Sequence, residues 1–120
     1  LAAMLSFLYV AVGGAVGAVL RYGLLRWMPP PADGLPLATI LANVIGCLLI
    51  GLLAGLFSGP LQGRDELRAL LIVGVLGALT TFSTYGWETY ALGARGHLGL
   101  AAINLLLSNV AGLAAIWVGQ

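Results

Sequence analysis

Apolar residues run almost unbroken along this chain, and the few polar positions divide it into four blocks. A membrane-spanning helix needs about 20 mainly apolar residues. Four segments meet that requirement: roughly Met4 to Met28, Leu37 to Phe57, Leu67 to Leu92, and Leu98 to Val118. Pro29, Pro30 and Pro31 stop the first, and Ser58, Gly59 and Pro60 end the second. The connections 29–36, 58–66 and 93–97 are short and hold turn-forming Pro, Gly and Asp. The pattern predicts an all-α membrane protein with four crossings, residues 1–120 forming a single domain. No positively charged stretch or small-residue cleavage site precedes the first apolar run, which is too long for a signal-peptide core, so it is expected to be a crossing.

Small residues recur at four-residue spacing, as Gly13/Gly17 and Gly14/Ala18 in the first segment and Cys47/Gly51/Gly55 in the second. Such rows let helix backbones approach closely inside a membrane. Helices packed that tightly leave little room for a pore within one subunit, so a conduction path is expected between subunits.

Composition changes the picture in two ways. The chain is 61% hydrophobic and carries five basic and four acidic residues, where a soluble domain is about a quarter charged. No basic cluster exists to hold a phosphate backbone, so nucleic acid is not an expected partner. Second, the arginines are nearly balanced. Four crossings put Arg64 and Arg68 on one side, and Arg26 and Arg95 on the other, with Arg21 deeper in the first segment. Orientation follows such charge asymmetry, and here there is almost none. The chain is therefore expected to insert in both orientations and pair antiparallel with itself. Trp27, Trp87, Trp117, Tyr22 and Tyr90 fit interfacial belts, and His97 is expected in solvent. Cys47 is the only cysteine, which excludes an internal disulfide.

Polar side chains at membrane depth are costly and point to function. Arg26 fits an end anchor, and Arg21 either an anchor or an anion-attracting vestibule. Asn43 has Thr39 one turn before it on the same face. Glu88 fits a structural or a pore-lining role. Asn104 and Ser108 share a face of the last segment, and Asn109 fits a bond between helices.

The run from Gly77 to Tyr85 stands out. Thr80, Thr81, Ser83 and Thr84 supply hydroxyls inside a segment that needs none to span. Glycine with several β-branched residues makes a poor continuous helix, and a broken helix at membrane depth is tolerated where it is buried or lines a cavity. A break frees carbonyls that can hold a cation and N–H groups that can hold an anion. Phe82 and Tyr85 lie three apart on one face, and aromatic rings have positive edges. Ring edges, hydroxyls and an amide would form an anion path without a fixed positive charge.

These residues resemble the Fluc (CrcB) family of fluoride channels over essentially the whole chain. Gly14-Ala-Val-Gly17-Ala-Val-Leu-Arg21-Tyr22 resembles its glycine-rich first helix. Thr39-Ile-Leu-Ala-Asn43-Val-Ile-Gly46 is similar to its second-helix asparagine motif. Gly74-Val-Leu-Gly77-Ala-Leu-Thr80-Thr-Phe82-Ser-Thr84 resembles its signature of a broken third helix. The resemblance implies an antiparallel dual-topology homodimer in the plasma membrane of a microbial cell (the inner membrane if Gram-negative). It implies two pores for passive, potential-driven fluoride export that protects the cell. Asn43 would orient the pore aromatics and donate to fluoride, and Phe82 and Tyr85 would offer ring edges. Thr39, Ser83, Thr84 and Ser108 would be polar pore candidates, with Arg21 in the vestibule. The carbonyls of Gly77 and Thr80 from both subunits would hold a structural sodium ion. The family usually has a second phenylalanine where this chain has Tyr85, which makes either a stronger fluoride site or a partly obstructed one. Ala78 replaces a common glycine.

A small multidrug-type proton-coupled exporter is the alternative, with similar length and dual topology. That mechanism needs a carboxylate in the first helix, and the first segment has none. Enzymatic activity is not expected: the sequence offers no metal-ligand cluster and no nucleophile–base pair.

Overall fold

The computed structural model describes residues 2–120, and among these every regular element is helical. Helix α1 spans Ala2–Trp27 and α2 spans Leu37–Phe57. The third crossing is in two pieces. Its first piece, α3 (residues 65–79), begins with a short α-turn, widens to a π-helix over Ala69–Leu76 and tightens again over Gly77–Leu79. Its second piece is α4, Phe82–Ala94, and α5 spans Leu98–Gly119. The four segments Ala3–Trp27, Leu37–Phe57, Asp65–Ala94 and Leu98–Gly119 are each long and apolar enough to cross a membrane.

The ends follow local chemistry. Helix α2 starts after Pro36 and stops at Ser58, whose hydroxyl donates to the Ala54 carbonyl at 2.8 Å. Asp65 and Glu66 occupy the first turn of α3, where negative charge suits the helix dipole. Gly63 and Gly96 turn the chain with φ of 84° and 86°, a region that favours glycine. His97 keeps contact with solvent, as expected, and its Nε2 also lies 3.1 Å from the exposed Asp33 carboxylate, which joins the first and third connections.

Helix α1 packs against α3, and α2 packs against α5. The Gly13/Gly17 row makes the first contact, since a Cβ at either position would strike the backbone at Leu70 or Val75. Gly51 does the same for α2 against Ile116 of α5, whereas Gly14 and Gly55 face open space. The small core gathers Ala42, Leu76 and Leu79, with Leu24, Leu49, Ile50 and Leu53 packed around it. Within each crossing only 11–17% of the most apolar stretch is buried in the chain itself. Most apolar surface therefore faces lipid or a further polypeptide.

Candidate functional site

The third crossing breaks at Thr80 (φ −85°, ψ 154°) and Thr81 (φ −151°, ψ 127°), both extended. The break does not come from Gly77, which keeps helical angles of φ −60° and ψ −34°. It comes from side chains that replace the helix's own hydrogen bonds. The Thr81 N–H donates to Asn43 Oδ1 at 2.8 Å, and Asn43 Nδ2 donates to the Thr81 carbonyl at 3.2 Å. In a continuous helix that N–H would go to the Gly77 carbonyl. Thr81 also caps α4, its hydroxyl accepting from the Thr84 N–H at 3.2 Å. That N–H would otherwise serve the Thr80 carbonyl. Two diversions thus take away the helical donors of Gly77 and Thr80, the carbonyls named for a cation. Backbone oxygens of this kind suit a hard cation.

The neighbouring carbonyls are engaged. The Leu76 carbonyl accepts from the Thr80 N–H at 3.0 Å and from its hydroxyl at 2.9 Å. The Ala78 carbonyl accepts from Arg21 Nε at 3.1 Å. Arg21 thus sits at the C-terminal end of α3, where a cation suits the helix dipole, and ties α1 to the break.

A groove of about 460 Å³ opens beside the break. Asn43, Thr80, Phe82, Tyr85 and Ser108 line it, together with Thr81 and Asn109. Phe82 is 82% exposed and Tyr85 only 8%. Their ring centroids are 5.7 Å apart with planes tilted by 56°. Among the described residues no charged side chain is in this lining. Tyr85 is held at both ends. Its hydroxyl lies 3.1 Å from Asn109 Nδ2, and its carbonyl accepts from the Thr89 hydroxyl at 2.8 Å. Thr89 in turn accepts from Asn104 Nδ2 at 2.9 Å, and Asn104 is fully buried. Ser108 donates to Asn104 Oδ1 at 3.3 Å, in keeping with the shared face seen in the sequence.

The other named positions lie elsewhere. Ser83 is exposed, with its hydroxyl 3.4 Å from that of Thr81. Thr84 lines a second cavity of about 400 Å³ with Trp87, Glu88 and Arg95 beneath the proline-rich connection. Thr39 is buried beside the Glu88 carboxyl, whose Oε1 has no hydrogen-bond partner among the described residues. Sequence reasoning missed the capping role of Thr81 and the Asn104–Thr89 link to Tyr85. The hydroxyl opening a helical stretch at Thr81 was a usable signal for the first. The second had none, because it joins side chains 15 positions apart on separate helices.

The family model described as "CrcB-like protein, Camphor Resistance (CrcB)" matches residues 8–120. A protein of Salinibacter ruber named fluoride-specific ion channel FluC is 41% identical over 119 residues, covering 97% of this chain and 87% of that protein. The protein of the same name from Agrobacterium fabrum is 40% identical, covering 97% of this chain and 94% of its own length. That from Shewanella amazonensis is 42% identical, covering 98% and 94%. With four apolar crossings and relatives of this kind along nearly its whole length, the chain is a multi-pass plasma-membrane protein and belongs to the CrcB family.

Proposed function

We propose that this chain is a fluoride-selective channel that lets fluoride leave a microbial cell passively, driven by the membrane potential. The observation that carries the reading is the broken third crossing, clamped by Asn43 and opening onto a groove with two aromatic rings and no charged lining residue. The names of the relatives support it. Fluoride is small and accepts hydrogen bonds strongly. Ring edges, hydroxyls and amide N–H groups would replace part of its hydration shell, tightly enough for entry and weakly enough for release. A fixed cation in the groove would hold it longer. Each elementary charge gains about 2.3 kcal/mol per 100 mV, so the potential of a living cell suffices to expel the anion.

The groove lacks a wall, and Phe82 stands 82% exposed on its rim. A second copy, antiparallel to the first, would close it, and two-fold symmetry would then give two equivalent pores. The carbonyls of Gly77 and Thr80, deprived of helical donors by Asn43 and Thr81, would hold a structural sodium ion between the copies. It would supply charge that offsets the paired carbonyl dipoles. Asn43 would position the rings and donate to fluoride. Ser108 would line the path with Phe82 and Tyr85, while Thr39, Ser83, Thr84 and Arg21 would belong to its approaches.

The test is ion efflux from liposomes holding the purified protein. Fluoride should leave under an imposed potential while chloride is retained. Absence of fluoride flux from well-folded protein would refute the reading. Replacing Phe82 with isoleucine should lower fluoride flux without loss of the dimer in cross-linking.

A further inference from the structure

Asn109 projects from α5, and its Nδ2 makes two hydrogen bonds. One reaches the Leu105 carbonyl at 2.8 Å and the other reaches Tyr85 Oη at 3.1 Å. The two ends of an amide have the same shape, so their assignment rests on the partners. The Leu105 carbonyl can only accept, which fixes the NH2 group on that side. The same nitrogen then faces Tyr85, so the phenolic oxygen accepts. A phenol has one proton, and here it must point away from Asn109. Among the described residues no acceptor takes it.

The surroundings aim that proton into the groove. Tyr85, Asn109 and Ser108 line the same stretch of wall. Ser108 has already given its proton to Asn104, so in this arrangement it presents an acceptor to the groove. The uncommitted hydroxyl donor on this wall is Tyr85. Its ring is buried and its carbonyl is fixed through Thr89 and Asn104, so the donor is preorganised rather than mobile. Accepting from Asn109 also polarises the O–H bond, as in any hydrogen-bond chain.

We infer that the Tyr85 hydroxyl is a direct hydrogen-bond donor to the anion in the groove, and that Asn109 is a positioning residue that keeps the phenolic proton turned toward it. The inference rests on the fluoride-channel reading and deepens it: this wall binds the ion through an O–H donor, where a phenylalanine would offer only a ring edge. Binding is tighter and release slower than a ring edge alone would give.

The experiment measures initial fluoride efflux against fluoride concentration for the full chain in liposomes. Four proteins are compared: the parent, Tyr85→Phe, Asn109→Ala and the double variant. A hydrogen bond to a charged acceptor contributes enough that its loss in Tyr85→Phe raises the half-saturating fluoride concentration about tenfold or more. Asn109→Ala leaves the donor present but unoriented, and the rise is smaller, about threefold. The double variant matches Tyr85→Phe, because Asn109 acts through the hydroxyl. Independent, multiplying effects in the double variant overturn the positioning role. Parent-like saturation in Tyr85→Phe overturns the donor role while leaving the channel reading intact. Absence of fluoride flux in the parent overturns both. Asn109→Ser guards against misassembly, since its hydroxyl can bond the Leu105 carbonyl yet is too short to reach Tyr85; it should behave as Asn109→Ala. A second readout is infrared difference spectroscopy on protein with ring-deuterated tyrosine. Fluoride addition should shift the phenolic C–O band, and the shift should vanish in Tyr85→Phe.

Discussion

Replacing Asn43 with alanine tests whether one amide keeps the third crossing broken. The side chain makes two bonds to Thr81, one accepted from the N–H at 2.8 Å and one donated to the carbonyl at 3.2 Å. The two losses are unequal. As N-cap, Thr81 also offers its carbonyl to the first turn of α4, so that oxygen keeps a partner and loses only about 0.5–1.5 kcal/mol. The N–H has no second acceptor while Thr81 stays extended, and leaving it unpaired costs about 1–3 kcal/mol. The sum is ~1.5–4.5 kcal/mol. The chain can lower that cost by returning the N–H to the Gly77 carbonyl, which straightens the break. Two measurements therefore belong together. Equilibrium unfolding in mixed micelles reads the stability. Spin labels at the exposed positions Val73 and Tyr90 read the geometry across the break. We expect lower stability, a changed distance, or both. Asn43→Asp should be worse, because it keeps the acceptor for the N–H but turns an oxygen against the Thr81 carbonyl. Parent-like stability and an unchanged distance in Asn43→Ala would refute the clamp.

Further expectations follow from close contacts and charge. A Cβ at Gly46 would strike Thr80 Cγ2, so Gly46→Ala should destabilise by about 1–3 kcal/mol. Thr80→Ser, which removes that methyl, should restore most of the loss in the same unfolding assay. Gly17→Ala should cost at least as much, because its Cβ meets the unyielding Val75 carbonyl, while Gly14→Ala has open space within the chain and should unfold like the parent. Thr81→Ala removes the cap on α4 and should cost about 1 kcal/mol, with faster amide exchange at Thr84. A topology reporter at the C-terminus should give signal on both sides of the membrane, and strong signal on one side alone would sink the antiparallel arrangement.

The ends of α2 were legible in the sequence because proline precedes it and Ser-Gly-Pro follows it. The third crossing was legible as a polar interruption but not in its mechanism. Gly77 drew attention as the weak point, yet it is helical, and the break lies at Thr80 and Thr81. The difference is physical. Glycine permits a break, whereas Asn43 and the Thr81 hydroxyl enforce one by offering better-placed partners, and Asn43 lies 38 positions away. The π-helix over Ala69–Leu76 left no trace, since an apolar run reads the same at either pitch. The balance of site residues was likewise hidden. Asn43, Phe82, Tyr85 and Ser108 converge on one groove, while Thr84 faces the other cavity with Glu88. Only the rotation of α4 after two extended residues decides which hydroxyl faces which side.

That rotation explains why neutral amides surround the break. Two extended residues uncouple α3 from α4, so nothing in the helix backbone sets their relative orientation. Asn43 of α2 fixes the junction, and Asn104 and Asn109 of α5 fix the first turn of α4 through Thr89 and Tyr85. An arginine could only donate and a glutamate only accept, and a charge at this depth is expensive and would leave a strong local field on the groove. An amide both donates and accepts, so one side chain can satisfy two groups of opposite polarity while staying neutral. Arg21 is the charged residue bonded at the break, and it meets the Ala78 carbonyl from the α1 side rather than lining the groove. The orientation of the rings is therefore set by neutral groups that place no fixed charge on the groove, which lets the wall be rigid without trapping a passing anion.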